Sequence, residues 1–167
     1  APTGNYDPEL IRLLQQQLAP ASRHPHRAVF LSRAQAHRRH LLNENELQPL
    51  LHDLGIETLY PEAYSKPALQ QLLSETHTLI GVHGAALANM LYMPPGSLIV
   101  ELHYRGDAMN NAFFALAHAC GHRYAYTLVD APAAQAHLRV QNQDAHLPDP
   151  AAFAAQLAEL LPQNATP

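Results

Sequence analysis

No stretch of this sequence is long and apolar enough to cross a bilayer, since none reaches 18 consecutive apolar residues, and that excludes a membrane-spanning helix. Cysteine is almost missing. Cys120 stands alone, which excludes an internal disulfide framework and fits a reducing compartment. Charge is sparse too, at 14% of residues against the roughly 25% usual in soluble domains. That scarcity leaves room for a buried parallel sheet, or for an apolar face that meets another domain. The net charge of −4 excludes general nucleic-acid binding, so any anion site must be local. Neither a Walker A sequence nor a dinucleotide glycine fingerprint occurs. No Asp-x-Asp pair occurs either. The first residues, Ala1-Pro2-Thr3-Gly4, show no initiator Met and no signal-peptide pattern, and are expected to be a cut within a longer chain.

What is present is an alternation of short apolar runs with helical periods. The 167 residues suit one domain with a sizeable core. Strands are expected at 28–31, 56–60, 78–82, 97–102 and 123–129, with a further short one at 137–140. Helices are expected at 8–18, 44–54, 66–75, 109–120 and 150–161. Asp7, Ser65 and Asp149 are their N-caps, with Pro in the first turn of each. Ile11, Leu14 and Leu18 form the apolar stripe of the first helix. Strands alternating with helices imply right-handed βαβ units, hence one α/β, Rossmann-like domain with a mostly parallel sheet and helices on both faces.

The chain is organised around residues 79–102. This stretch reads as a buried strand, a tight turn at His83-Gly84, a short helix, a Pro94-Pro95-Gly96 stop, and a second buried strand ending on Glu101. Gly84 lets backbone and ligand approach closely. The amides of Gly84, Ala85 and Ala86 at the start of the following helix favour an anion. His83 either bonds a phosphate oxygen or fixes the turn through backbone bonds. Arg33 directly follows a strand, so it sits at the ligand edge of such a sheet. With Arg38 and Arg39 it can close over the same anion; the alternative is a solvated basic loop. Asn43 and Glu44 read as a helix cap and a first-turn acid that orient this loop. Glu101, a carboxylate in an apolar run, requires a partner: a ribose diol, or a structural bond to backbone or to Arg105. His118 and His122 have the four-residue spacing of zinc sites, but incidental histidines fit better because Gly121 intervenes. Cys120 reads as a packing residue.

Two blocks carry a family resemblance. One is His83-Gly84-Ala85, Asn89, Met93-Pro94-Pro95-Gly96 and Val100-Glu101. The other is Val29-Phe30-Leu31-Ser32-Arg33, Arg38-Arg39 and Leu42-Asn43-Glu44-Asn45-Glu46-Leu47. Together they resemble glycosyltransferase family 61 over roughly residues 26–130. The family's basic pair usually stands directly before two apolar residues and Asn; here that place reads Arg39-His40, with Arg38 one step earlier.

The resemblance implies the C-terminal, nucleotide-sugar-binding half of a GT-B enzyme. Residues 1–25 would be a leading helix and loop, and 147–167 a closing helix and tail. An N-terminal, acceptor-binding domain is expected as a missing partner. The donor would be a UDP-sugar and the acceptor a glycan or glycoprotein hydroxyl, with inversion, no metal cofactor, and no base supplied here. Ser32 and Arg33 would hold the diphosphate, joined by Arg38, Arg39, His83, Gly84 and Ala85, with Glu101 on the ribose. The competing expectation is a non-catalytic nucleotide- or partner-binding module. The compartment expected is the cytoplasm, peripheral to a membrane, for a bacterial chain, and the secretory lumen for a eukaryotic one.

Overall fold

The computed structural model describes residues 4–18, 24–107, 110–135, 137–139 and 142–162. Its sheet has five strands: β1 (Arg27–Leu31), β2 (Ile56–Leu59), β3 (Thr76–Val82), β4 (Leu98–Tyr104) and β5 (Arg123–Val129). Their order is β2-β1-β3-β4-β5 and every pairing is parallel. The helices are α1 (Pro8–Leu18), α2 (Glu44–Asp53), α3 (Lys66–Ser74), α4 (Ala112–Ala119) and α5 (Pro150–Leu160).

Side-chain alternation along the strands feeds two cores. Phe30, Ile80, Val82, Val100 and Leu102 pack with Leu47 and Leu51 of α2 and Phe153 and Leu157 of α5. Val29, Leu31, Leu79 and Ile99 face the other way, onto Ile11, Leu73, Leu116 and Ala117 of α1, α3 and α4. Burial on both faces explains the near-continuous apolar runs of β3 and β4.

The caps at Asp7, Ser65 and Asp149 are in place, accepting from Glu9, Ala68 and Ala152 amides at 2.8, 3.4 and 2.8 Å. Four local expectations change. The helix after Gly84 is a 3₁₀ segment, Ala85–Tyr92. On α1 the buried positions are Ile11 and Gln15, while Leu14 and Leu18 are exposed; leucines lie on several sides of this helix, so the apolar stripe did not fix its rotation. Residues 137–139 form a turn and bend rather than a strand, and residue 140 lies outside the described residues, as do 108–109. The downstream pairing falls instead on Ala145 and His146, bridged to Leu41 and Asp130.

Asn43 does not cap α2 through its side chain. Its Nδ2 donates to the Leu147 carbonyl at 2.9 Å and its Oδ1 accepts from the Leu147 amide at 3.0 Å. The Asn43 amide thus imitates one rung of a sheet. Asn43→Ala is expected to destabilise the chain by about 1–3 kcal/mol, because it leaves a buried backbone pair unmet. A shift in the urea midpoint at constant slope measures this; an unchanged midpoint would refute it.

Candidate functional site

In an open parallel sheet, ligands bind outside the carboxyl ends of the strands, where the strand order reverses. Here the chain runs outward from β1 to β2, then returns to place β3 on the other side of β1. The reversal therefore lies between β1 and β3. Ser32 and Arg33 leave β1 at that point, and His83 and Gly84 leave β3.

The loop after β1 folds back over this crevice. Arg33 donates through Nε and Nη2 to the Arg38 carbonyl at 3.3 and 3.1 Å. Arg38 Nη1 donates to Asn142 Oδ1 at 2.9 Å. His40 is tied to Asp144, its amide donating to Oδ1 at 2.8 Å. Between them Arg39 adopts φ 61°, the left-handed region that a bulky side chain avoids. That conformation turns its guanidinium onto Gly84. A β-carbon built on Gly84 would lie 2.7 Å from Arg39 Nη1, so only glycine admits this approach. Arg39 Nη1 also reaches the His83 carbonyl at 3.5 Å.

Among the described residues no carboxylate neutralises Arg39. Burial lowers its pKa most, followed by the positive charge of Arg33; Tyr104 opposes these, and Arg38 adds a smaller lowering. Its Nε is buried without a hydrogen-bond partner. A half-buried guanidinium beside two others is an arrangement suited to an anion. The first amides of the 3₁₀ segment, at exposed Ala85, have no acceptor within their own turn and lie beside it.

Ser32 is not open to an anion. Its buried hydroxyl donates to Glu44 Oε1 at 2.5 Å and accepts from the Ala34 amide at 3.1 Å. It shapes the turn out of β1 and gives Glu44 a structural job.

Behind the crevice lies a buried cluster. Glu101 Oε1 accepts from His83 Nδ1 and, at 2.8 Å, from His103 Nδ1; Oε2 accepts from the Tyr124 hydroxyl at 2.6 Å. With 1% of Glu101 exposed and both oxygens bonded to neighbouring side chains, a ribose diol has no access to it, and Arg105 pairs with Asp130 instead, at 2.9 Å. The ribose contact expected for Glu101 is thus replaced by structural bonds, made to side chains rather than to backbone. Burial alone would raise the Glu101 pKa, but the bonds from His103, His83 and Tyr124 outweigh it and hold it at about 2. Both His103 nitrogens face acceptors, Glu101 and the Asp107 carbonyl at 3.1 Å. The bond to Glu101 raises the His103 pKa against the effect of burial, so this ring is the cation of the pair. On its other side His83 Nε2 meets the Asn110 side amide at 3.0 Å. Asn110 also donates to Asp107 Oδ2 at 3.0 Å.

His83, Glu101 and His103 are the set among the described residues whose ligand atoms lie within 4.8 Å of one another. Direct hydrogen bonds join them here. His118 and His122 do not converge: α4 ends at Ala119, His118 is exposed, and buried His122 Nε2 bonds the Met90 carbonyl at 3.0 Å. Burial pushes the Cys120 thiol up to about 12, consistent with packing. His103, Asn110 and Tyr124 were not singled out from sequence. His103 was within reach, since it stands two residues from Glu101 and so on the same face of one strand.

Fold and crevice define a doubly wound α/β domain with arginines gathered at its reversal point. The chain belongs to glycosyltransferase family 61: the model described as Glycosyltransferase 61 matches residues 2–100. It is 37% identical over 66 residues to a protein O-linked-mannose beta-1,4-N-acetylglucosaminyltransferase 2 from Takifugu rubripes, covering 38% of this chain and 11% of that protein. It is 31% identical over 67 residues to a xylan glycosyltransferase from Arabidopsis thaliana, covering 38% and 14%. A beta-1,2-xylosyltransferase from Oryza sativa subsp. japonica is 32% identical over 77 residues, covering 46% and 13%. The matched region thus spans only about an eighth of these relatives' length.

Proposed function

We propose that this chain is the donor-binding domain of an inverting glycosyltransferase that uses a UDP-sugar. The observation that carries this reading is the Arg39 guanidinium, unneutralised by any carboxylate among the described residues and held against Gly84 at the reversal point. The diphosphate would lie between Arg39 and the amides at Gly84-Ala85, with Arg33 behind. An acceptor hydroxyl attacks the anomeric carbon, the bond from that carbon to the diphosphate oxygen breaks, and the hydroxyl proton passes to a base outside this chain. Negative charge grows on the leaving diphosphate, where preformed cationic and amide donors stabilise it most. In this reading Arg33, Arg38 and Arg39 supply the positive charge, and no metal is required. His83 and Glu101 act as support: the buried acid fixes the imidazole, and the imidazole fixes the turn. The names of the relatives support a glycan or protein-linked acceptor.

Calorimetry with UDP tests the reading. UDP is expected to bind the chain, and Gly84→Ala to weaken it about tenfold or more, because the new methyl group displaces the guanidinium. Arg33→Ala is expected to abolish UDP-sugar turnover in the full-length protein. No measurable UDP binding, or equal binding by Gly84→Ala, would overturn the assignment.

A further inference from the structure

We propose that the open cleft between the carboxyl end of β4, the start of α4 and the length of β5 binds a neutral pyranose chain, the acceptor side of the transfer; this rests on the donor-domain reading above. The cleft encloses about 620 Å³ and is lined by Phe114, Tyr124, Tyr126, His103, Asn110 and Asn111, among others. That volume lies within the range of small-ligand sites.

The chemistry of the lining selects the occupant. Aromatic residues make up only 7% of this chain, yet three gather on one wall. Tyr126 and Phe114 are 61% and 53% exposed, so their rings are open to solvent. Phe114 meets Tyr124 edge-on at 5.5 Å, and Tyr124 lies tilted by 33° against Tyr126 at 6.4 Å. These rings give a firm apolar platform. A pyranose offers it a face of C–H groups, which the electron-rich ring face attracts. The Asn111 side amide can both donate and accept, as sugar hydroxyls require, and Asn110 offers its Oδ1 as an acceptor, its Nδ2 being spent on His83 and Asp107.

Charge narrows the choice further. His103 is paired with Glu101, and Arg105, also on the lining, with Asp130. The described lining residues therefore present no uncompensated charge, in contrast to the arginines one strand away. A phosphate fits the crevice, and a neutral ligand fits the cleft.

The two places adjoin. Asn110 lines the cleft and bonds His83. The His83 ring meets His103 edge-on at 5.4 Å, and His103 meets Tyr126 at 6.2 Å. A sugar on the aromatic wall would thus lie one ring pair from the turn that carries Gly84.

The test is an NMR titration of the whole chain with xylotriose, N,N′-diacetylchitobiose, uridine and UDP. One of the two saccharides is expected to shift signals of Phe114, Tyr124, Tyr126 and Asn110. Tyr126→Ala should weaken it about tenfold and Tyr126→Phe should restore it, since the ring face is kept. UDP should shift Arg39 and Ala85 and bind Tyr126→Ala unchanged. Binding of UDP with neither saccharide overturns the cleft assignment alone. Silence from UDP overturns the donor reading, whatever the saccharides do. Uridine shifting the aromatic wall, or concentration-dependent broadening of that wall without ligand, gives the cleft to a base or to a second copy and overturns the proposal.

Discussion

Replacing Arg39 with glycine is expected to raise the melting temperature by about 2–4 °C while weakening UDP binding about 10- to 100-fold. The two effects have one origin. At φ 61° a side chain other than glycine is strained by about 1–2 kcal/mol. Its guanidinium also stands beside Arg33 and Arg38, and no acid among the described residues offsets it. Glycine removes both penalties and gives back part of the gain through a freer unfolded chain. A residue that lowers stability in the free chain is held there by something that binds it. Thermal melts and calorimetry on the same samples decide the matter. A lower melting temperature would mean that Arg39 supports the fold and has no anion to meet.

The second large effect concerns Glu101. Glu101→Gln is expected to destabilise the chain by about 3–5 kcal/mol, because it removes the anion that His103 and the Tyr124 hydroxyl face in a buried site. The pH dependence has a definite sign. The Glu101 pKa falls from 4.5 to about 2 on folding, so its stabilisation is complete above pH 4.5 and disappears as the pH falls through about 2. The size of that shift corresponds to about 3 kcal/mol. The His103 pKa is raised above 6.5, so the stabilisation of the same pair is present below that value and lost as the pH rises through the folded pKa. Stability of the native sequence should therefore decline toward both pH extremes. Glu101→Gln should flatten the acid limb. A variant that loses stability without changing that limb would show that the charge of Glu101 is not what the cluster relies on.

The sheet was legible in the sequence because parallel strands buried on both faces leave near-continuous apolar runs, and 79–82 and 98–102, broken only at Glu101, are such runs. The crevice was legible through two adjacent clues, Arg33 after one strand and Gly84 after another. That Arg39 closes over the same anion was also read from the sequence, but its direct packing of the guanidinium on Gly84 was not. It depends on a single left-handed dihedral, and sequence carries little trace of that for an arginine. Glu101 was correctly read as needing a partner; His103 could have been found by strand alternation, but His83 and Tyr124 reach it from the strands on either side, and that pairing is set by the sheet order. Ser32 and Asn43 carried plausible polar roles in isolation. Their actual partners, Glu44 and the Leu147 backbone, are set by how the loops pack.

The rung between Asn43 and Leu147 joins residues 104 positions apart, and Arg38 and His40 lean on Asn142 and Asp144 over the same span. The arginine loop therefore cannot take its final shape while the ribosome has released only the first four strands. Those positive charges stay loose until residues 142–147 have emerged and returned to clasp them. A protease cut in the 131–142 region should free the arginines while the strands remain paired, converting an organised cradle into an ordinary basic tether.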